Sequence, residues 1–380
     1  MTRISCFTPA LALLMGVAVF SYTSAALAEP EFKLRGRMHL DYALHDDDQI
    51  DLDDGFLFRR TRIGVKGSLN DEWSGMIEYD FSENNTSAQD IYVQRSLSSG
   101  GSIRIGHIKV PMGMEEISST NYLPFIERSS SNTALVTSYR IGVGYQRFAG
   151  ALGFQAMAFG RELEDNRPGD DPVGIGARAI YAPVFDGNQL HLAASFAYED
   201  ARDFNTVRFR DRPESRPDGK RLVDTGTIAG VDKVIKYGIE AAWQSGPFIA
   251  QAEYLAAGVD RDAGPEPDFS GWYLQGNWIV TGERRGYRDG VFRNVKPGSP
   301  DRGAWELSVR YSSLDLNDSG FQGGEQDNVT VGLNYYTQAN VRFMLNYVMV
   351  DVSDSGATID GETVGDESPN ILAGRVQYFF

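Results

Sequence analysis

The chain has 380 residues, with 36 Lys and Arg against 52 Asp and Glu for a formal charge of −16, and 12% aromatic residues. That aromatic content excludes a disordered chain, and the acidity excludes a general nucleic-acid binder, which needs a basic footprint. The average is too polar for a bundle of membrane helices, each needing roughly 20 apolar residues in a row; 41 Gly with 18 Tyr and 21 Phe point to β-structure with many turns.

Arg3 is the only charge in the first 28 residues, and an apolar stretch over 10–20 leads through small residues to Ala26-Leu27-Ala28. A basic start, an apolar core too short to span and an A-x-A motif have the layout of a secretory signal peptide. Residues 1–28 are therefore expected to be cleaved, leaving 29–380 as a single domain; the alternative is a buried helix opening the mature protein. Cys6, the only cysteine, lies in this segment. The exported chain then has no disulfide or thiol chemistry, and no cysteine at the cut for a lipid anchor.

From Glu31 to Tyr42, Phe32, Leu34, Met38, Leu40 and Tyr42 share one parity, while Lys33, Arg35, Arg37, His39 and Asp41 share the other. Strand side chains alternate between faces, so this segment reads as a strand with one apolar and one charged side. The pattern recurs near 58–69, 73–81, 90–97, 102–109, 140–148, 152–160, 174–182 and 190–198. It continues near 235–243, 248–256, 270–280, 304–312, 327–336, 340–350 and 371–380, for sixteen strands in all. Connections after the even strands are mostly short, and those after the odd strands are mostly long: 43–57, 110–139, 199–234 and 351–370. Short turns at one end and long loops at the other predict an all-β, antiparallel transmembrane barrel with the long loops outside the cell. The connection 281–303 breaks the rule, being long where a short periplasmic turn is expected.

The apolar parity includes Trp73, Ile77, Tyr79 and Phe81, then Tyr237, Ile239 and Trp243, with aromatic residues recurring at strand ends as in interfacial girdles. A closed barrel satisfies every backbone polar group in hydrocarbon without a disulfide. The last strand ends on Phe380, which resembles the terminal signal read by the barrel-assembly machinery. Alternation alone also fits a secreted β-sandwich or β-helix.

With apolar residues toward lipid, the other parity lines the lumen: Lys33, Arg35 and Arg37, then Arg60, Arg62 and Lys66, with Arg104, Arg140, Arg310, Arg342 and Arg375. Glu78, Asp80, Asp90, Glu240, Glu253 and Glu306 oppose them. Such a mixed wall either sets up a field across the pore or pairs off with little selectivity. The loop 110–139 is long and carries its own apolar residues, Tyr122-Leu123-Pro124-Phe125, before Glu127-Arg128-Ser129; it is expected to fold inward as a constriction. In the loop 199–234, extended chain puts Arg208, Arg210 and Arg212 on one side, about 6–7 Å apart. Adjacent guanidinium forks of this kind pass an anion from one weak site to the next. The alternative is an exposed basic loop facing lipopolysaccharide or paired with Asp211 and Glu214.

Phe58-Arg59-Arg60-Thr61-Arg62-Ile63-Gly64-Val65-Lys66-Gly67, Glu78-Tyr79-Asp80-Phe81 and Ile103-Arg104-Ile105-Gly106-His107-Ile108-Lys109-Val110-Pro111-Met112-Gly113 resemble the phosphate-selective porin family of the O and P type. So do Phe125-Ile126-Glu127-Arg128-Ser129, Arg221-Leu222-Val223-Asp224-Thr225-Gly226, Gly303-Ala304-Trp305-Glu306-Leu307 and Gly332-Leu333-Asn334-Tyr335-Tyr336. The resemblance implies a sixteen-stranded outer-membrane barrel, a homotrimer, inward loops forming an anion-selective constriction, and a ladder of arginines. It also implies a central site of basic and serine side chains beside an aspartate, with Asp90 as that aspartate and Arg128 or Arg140 as a basic partner.

Among His39, His45, His107 and His191 no pair has zinc-ligand spacing, so no metal is expected, nor any cofactor. An outer-membrane hydrolase is the other function class, with Ser102 and His107 or Ser195 and His191 as neighbours. No Gly-x-Ser-x-Gly supports it, and no catalytic residue is assigned. The expectation is a passive channel for small anions such as phosphate.

Overall fold

The computed structural model describes residues 29–82 and 85–380, so the signal-peptide segment lies outside the described residues. Sixteen long strands follow one another: β1 Glu31–Asp46, β2 Gly55–Ser68, β3 Trp73–Asp80, β4 Ser87–Ser96, β5 Gly101–Lys109, β6 Tyr139–Ala149, β7 Leu152–Phe159 and β8 Val173–Tyr181. The second half is β9 Asn188–Asp200, β10 Val231–Ser245, β11 Phe248–Arg261, β12 Asp268–Ile279, β13 Ala304–Asp318, β14 Phe321–Gln338, β15 Val341–Ile359 and β16 Asn370–Phe379. Each pairs antiparallel with the next, and β16 returns to β1, closing the cylinder. The backbone N–H and oxygen of Phe380 add a last rung to Gly36, each bond 3.0 Å. The Phe380 ring lies over Gly36, where any Cβ would sit 2.4 Å from it.

Burial is inverted relative to a soluble protein. Along β13, Val309 is 52% exposed while the adjacent Arg310 is 1% exposed. Trp305, Leu307, Val309 and Tyr311 point out; Glu306, Ser308, Arg310 and Ser312 point in. At the short-turn end, Phe248 stacks on Trp278 with centroids 5.8 Å apart and Trp305 on Tyr335 at 4.4 Å, part of an interfacial girdle.

The count of sixteen matches the alternation, but several strands run further toward the long-loop end than the pattern predicts. β14 begins at Phe321 and β15 continues to Ile359. Beyond the bilayer neither face needs to be apolar, so the ladder goes on after the alternation ends. The expected loop 351–370 is thus mostly hairpin, with Glu362–Glu367 paired to β15. The loop 201–230 forms a cap: Thr206–Val207 pairs with Ile228–Ala229 and Arg210–Asp211 with Val223–Asp224. Its Phe209, Leu222, Val223 and Ile228 pack with Phe269, Leu314 and Val352 of the rim. The connection 280–303 is long as well, and it turns back into the barrel rather than adding a strand.

Candidate constriction and solute path

The segment after β5 enters the lumen and carries two short helices, α1 Met114–Ile117 and α2 Ser130–Leu135. Wall arginines hold it. Arg310 reaches Glu115 at 3.1 Å and also pairs with Glu214 of the outer loop. Arg342 Nη1 donates to the Leu123 carbonyl at 2.7 Å, and Arg375 Nη1 to that of Ile126 at 2.6 Å. Glu253 of β11 accepts the N–H groups of Met114 and Glu115, each at 2.8 Å. Within the loop, Arg128 lies 3.2 Å from Glu116 and Lys109 Nζ 3.1 Å from the same carboxylate. Burial alone would raise Glu116; Arg128 and Lys109 outweigh it and hold the carboxyl at about 2. Burial likewise opposes ionised Glu127, which Arg59, Arg60 and Arg375 hold well below the ordinary range.

From the opposite mouth, residues 280–303 rise into the barrel. Arg285 grips Glu306 through Nη2 at 2.9 and 2.8 Å, donates to the Tyr336 hydroxyl at 3.0 Å and contacts the Tyr122 carbonyl. Arg178 Nη2 donates to the Gly290 carbonyl at 3.0 Å, and Val291 and Phe292 cluster with Met114, Ala242 and Ile249. The two inserts thus pack against the wall of β8–β16 and, through His39–Asn121 at 3.0 Å and Arg59–Glu127 at 2.8 Å, against β1 and β2 as well. A cavity of about 270 Å³ stays open, lined by residues of β1 and β3–β7 and by the two inserts.

Among the described residues, five cations line that cavity, Arg35, Arg37, Arg104, Lys109 and Arg293, with Asp90 as the one carboxylate. Arg37 donates to the Thr120 hydroxyl at 3.1 Å and lies 3.4 Å from Glu78. Arg104 Nε donates to Gln94 at 2.7 Å, and the Tyr139 hydroxyl to Asp90 at 3.3 Å. Arg35 has no ion pair or hydrogen bond among the described residues.

Lys33 and Lys66 oppose each other in register at the periplasmic rim, Lys33 paired with Glu31 at 2.9 Å. Arg60 is buried 3.9 Å from Glu127, and Arg62 binds Asp80 at 2.7 Å. Arg140 lies 3.3 Å from Glu199, apart from Asp90. Arg128 faces Glu116 rather than the open cavity. The neighbouring Ser129, Ser130 and Ser131 are fully buried, Ser129 donating to Glu115 at 2.8 Å. Asp90 is therefore not joined to Arg128, Arg140 or the serines. Arg208, Arg210 and Arg212 do share one side of the outer loop, because Phe209 and Asp211 between them are buried. Arg208 is taken by Asp224 at 2.6 and 2.5 Å, and Arg212 Nε donates to the Gly219 carbonyl at 2.9 Å. Arg208 and Arg210 line a concavity of the outer rim with Lys220 and Arg221.

His191 contacts the Tyr287 hydroxyl at 2.5 Å and Glu240 at 3.1 Å, and His107 the Gln89 carbonyl at 2.7 Å. Neither is hydrogen-bonded to a serine among the described residues.

Lys109 and Arg293 escaped the sequence reading. Lys109 is on the opposite parity from Arg104, so alternation did not place it among the lumen residues; the strand ends there, and the chain goes on through Val110-Pro111 into the inward loop. Arg293 lies in the connection that alternation had no place for.

A model of the family described as phosphate-selective porin O and P matches residues 32–380. An uncharacterised protein of Caulobacter vibrioides is 30% identical, over 92% of this chain and 74% of its own length. Porin O of Pseudomonas aeruginosa is 28% identical, over 93% of this chain and 89% of its own. Among solved structures, the anion-selective porin of Comamonas acidovorans covers 93% of this chain and 100% of its own, with a TM-score of 0.62 at 12% identity. OmpT of Vibrio cholerae has a TM-score of 0.59 at 14% identity over 93% of this chain and 100% of its own, in a structure described as the trimer form.

Proposed function

Because this chain belongs to the phosphate-selective porin O and P family and is an outer-membrane porin, we propose that it passes small anionic solutes, phosphate among them, by passive diffusion. The observation that carries this is the sign of the open lumen, five cations to one carboxylate. The chain as a whole is acidic, but the field in a narrow pore follows the nearest charges, and low-dielectric walls strengthen it. Anions are gathered at the outer rim by Arg208, Arg210, Lys220 and Arg221. They then pass the loop 110–138 and leave along Lys109, Arg104, Arg37 and Arg35. Arg128, Arg310, Arg342 and Arg375 shape the constriction by anchoring the loop.

The same reading makes residues 1–28 a cleaved export signal and the assembly a homotrimer. It has Phe380 present the last strand to the barrel-assembly machinery and sets the basic outer rim against lipopolysaccharide. Reversal potentials of the reconstituted protein across a KCl gradient, then titrated with phosphate, test the function. Anion preference with a conductance that falls as phosphate binds is expected; cation preference contradicts it.

A further inference from the structure

The lipid-facing surface of the barrel is uneven. On β12 and β13 its positions carry large side chains, Trp272, Leu274, Val309 and Tyr311, all well exposed. On β7–β9 the same surface is built from alanine. Ala156 faces Ala177 across one strand pair and Ala179 faces Ala194 across the next. Phe154, Ile175, Leu192 and Phe196 stand beside them. The outcome is an apolar trough of two concavities, about 750 and 460 Å³, one reaching Ala179 and the other Ala177 on the same strand.

From Ile175 to Tyr181 the trough follows β8 for about 20 Å. Barrel strands tilt by about 45°, so it descends about 14 Å, one leaflet of a hydrocarbon core about 30 Å thick. Its lower end lies at the short-turn, periplasmic side, where Tyr181 closes β8 and Arg147 stands two residues before the end of β6. Arg147 shares the outward parity of Val143 and Tyr145, pairs in register with Phe154 and lines the larger concavity. It is exposed and has no ion pair or hydrogen bond among the described residues.

An acyl chain lying over large side chains touches protein on one side. In a trough floored by alanine it is held on three, with a corresponding gain in dispersion contacts. A guanidinium at headgroup depth keeps its fork in the interface on a long apolar stem, and the fork matches two phosphate oxygens. A second copy of the chain is a poorer occupant, since covering Arg147 would bury a charge that needs a carboxylate opposite it. We propose that the β6–β9 face binds one anionic glycerophospholipid of the periplasmic leaflet, an acyl chain in the trough and its phosphate on Arg147. This holds whichever ions the pore conducts.

The test titrates the folded porin, purified in detergent, with dioleoylphosphatidylglycerol and separately with dioleoylphosphatidylcholine. Native mass spectrometry counts the lipid retained per chain. Phosphatidylglycerol should saturate at one per chain, with half-saturation about fivefold below that of phosphatidylcholine, the usual worth of one basic residue at an anionic headgroup. Arg147→Gln should abolish that preference. Ala177→Phe with Ala179→Phe, which fills the trough, should weaken retention of both lipids. Absence of a one-per-chain plateau, or an unchanged preference in Arg147→Gln, overturns the proposal. So does a phenylalanine variant that loses its oligomer yet retains lipid, which would make the trough a contact between copies. Arg147 is exposed and unpaired, so its variant decides the matter even if the phenylalanine pair does not fold.

Discussion

Asp41 and Arg375 face each other directly across the seam where the last strand meets the first, and the guanidinium grips the carboxylate through two 2.6 Å hydrogen bonds. Arg375 also reaches the Ile126 carbonyl and, at 2.9 Å, Glu127. One side chain therefore ties barrel closure to the seating of the constriction loop.

Arg375→Gln should destabilise the folded barrel by about 3–5 kcal/mol, because it strands Asp41 as an unpaired buried charge. The check is the temperature at which the folded band of the purified protein converts to the unfolded one in SDS gels. Asp41→Asn combined with Arg375→Gln should recover part of the loss, since neither charge is then left alone.

Arg285 is the bolt of the periplasmic insert, through Glu306, Tyr336 and the Tyr122 carbonyl. Arg285→Ala should free residues 280–303 from the wall and raise single-channel conductance. The wild-type conductance in a folded variant would show that other contacts suffice to hold the insert.

Glu116 links pH to loop seating. Its ordinary value is 4.5 and in the folded loop it sits at about 2, so a released loop takes up a proton that the seated loop refuses. The stabilisation is fully present above about 4.5 and is lost as pH falls toward about 2. Current noise in planar bilayers should stay flat from neutral pH to about 5 and grow below it. Glu116→Gln should show that noise already at neutral pH.

The role proposed for the outer arginines is attraction at a distance. Replacing Arg208, Arg210 and Arg212 with Gln should lower the anion-to-cation permeability ratio, chiefly in dilute salt, where the Debye length is about 30 Å. The change should follow Arg210 more than Arg208, because Asp224 already offsets the Arg208 charge.

The strands were legible because lipid and water impose opposite demands on neighbouring residues, as Val309 and Arg310 illustrate. Ser353–Ile359 were less legible, since they lie where both faces are wet. The inward parity of Arg310, Arg342 and Arg375 was also legible. Their service as anchors was not, because their partners are the loop carboxylates and carbonyls of Glu115, Leu123 and Ile126, and alternation says nothing about loops. The same gap hid Arg293. Lys109 was hidden differently: parity counted from Arg104 fails where the chain leaves the sheet.

If anions travel along the wall of β1 and β3–β7, its cations set the selectivity of the channel. The decisive measurement is the reversal potential, across a KCl gradient, of one folded variant combining Arg35→Gln, Arg37→Gln and Lys109→Gln. The anion-to-cation permeability ratio should drop to near or below one; a ratio equal to that of the unaltered protein would place the path elsewhere.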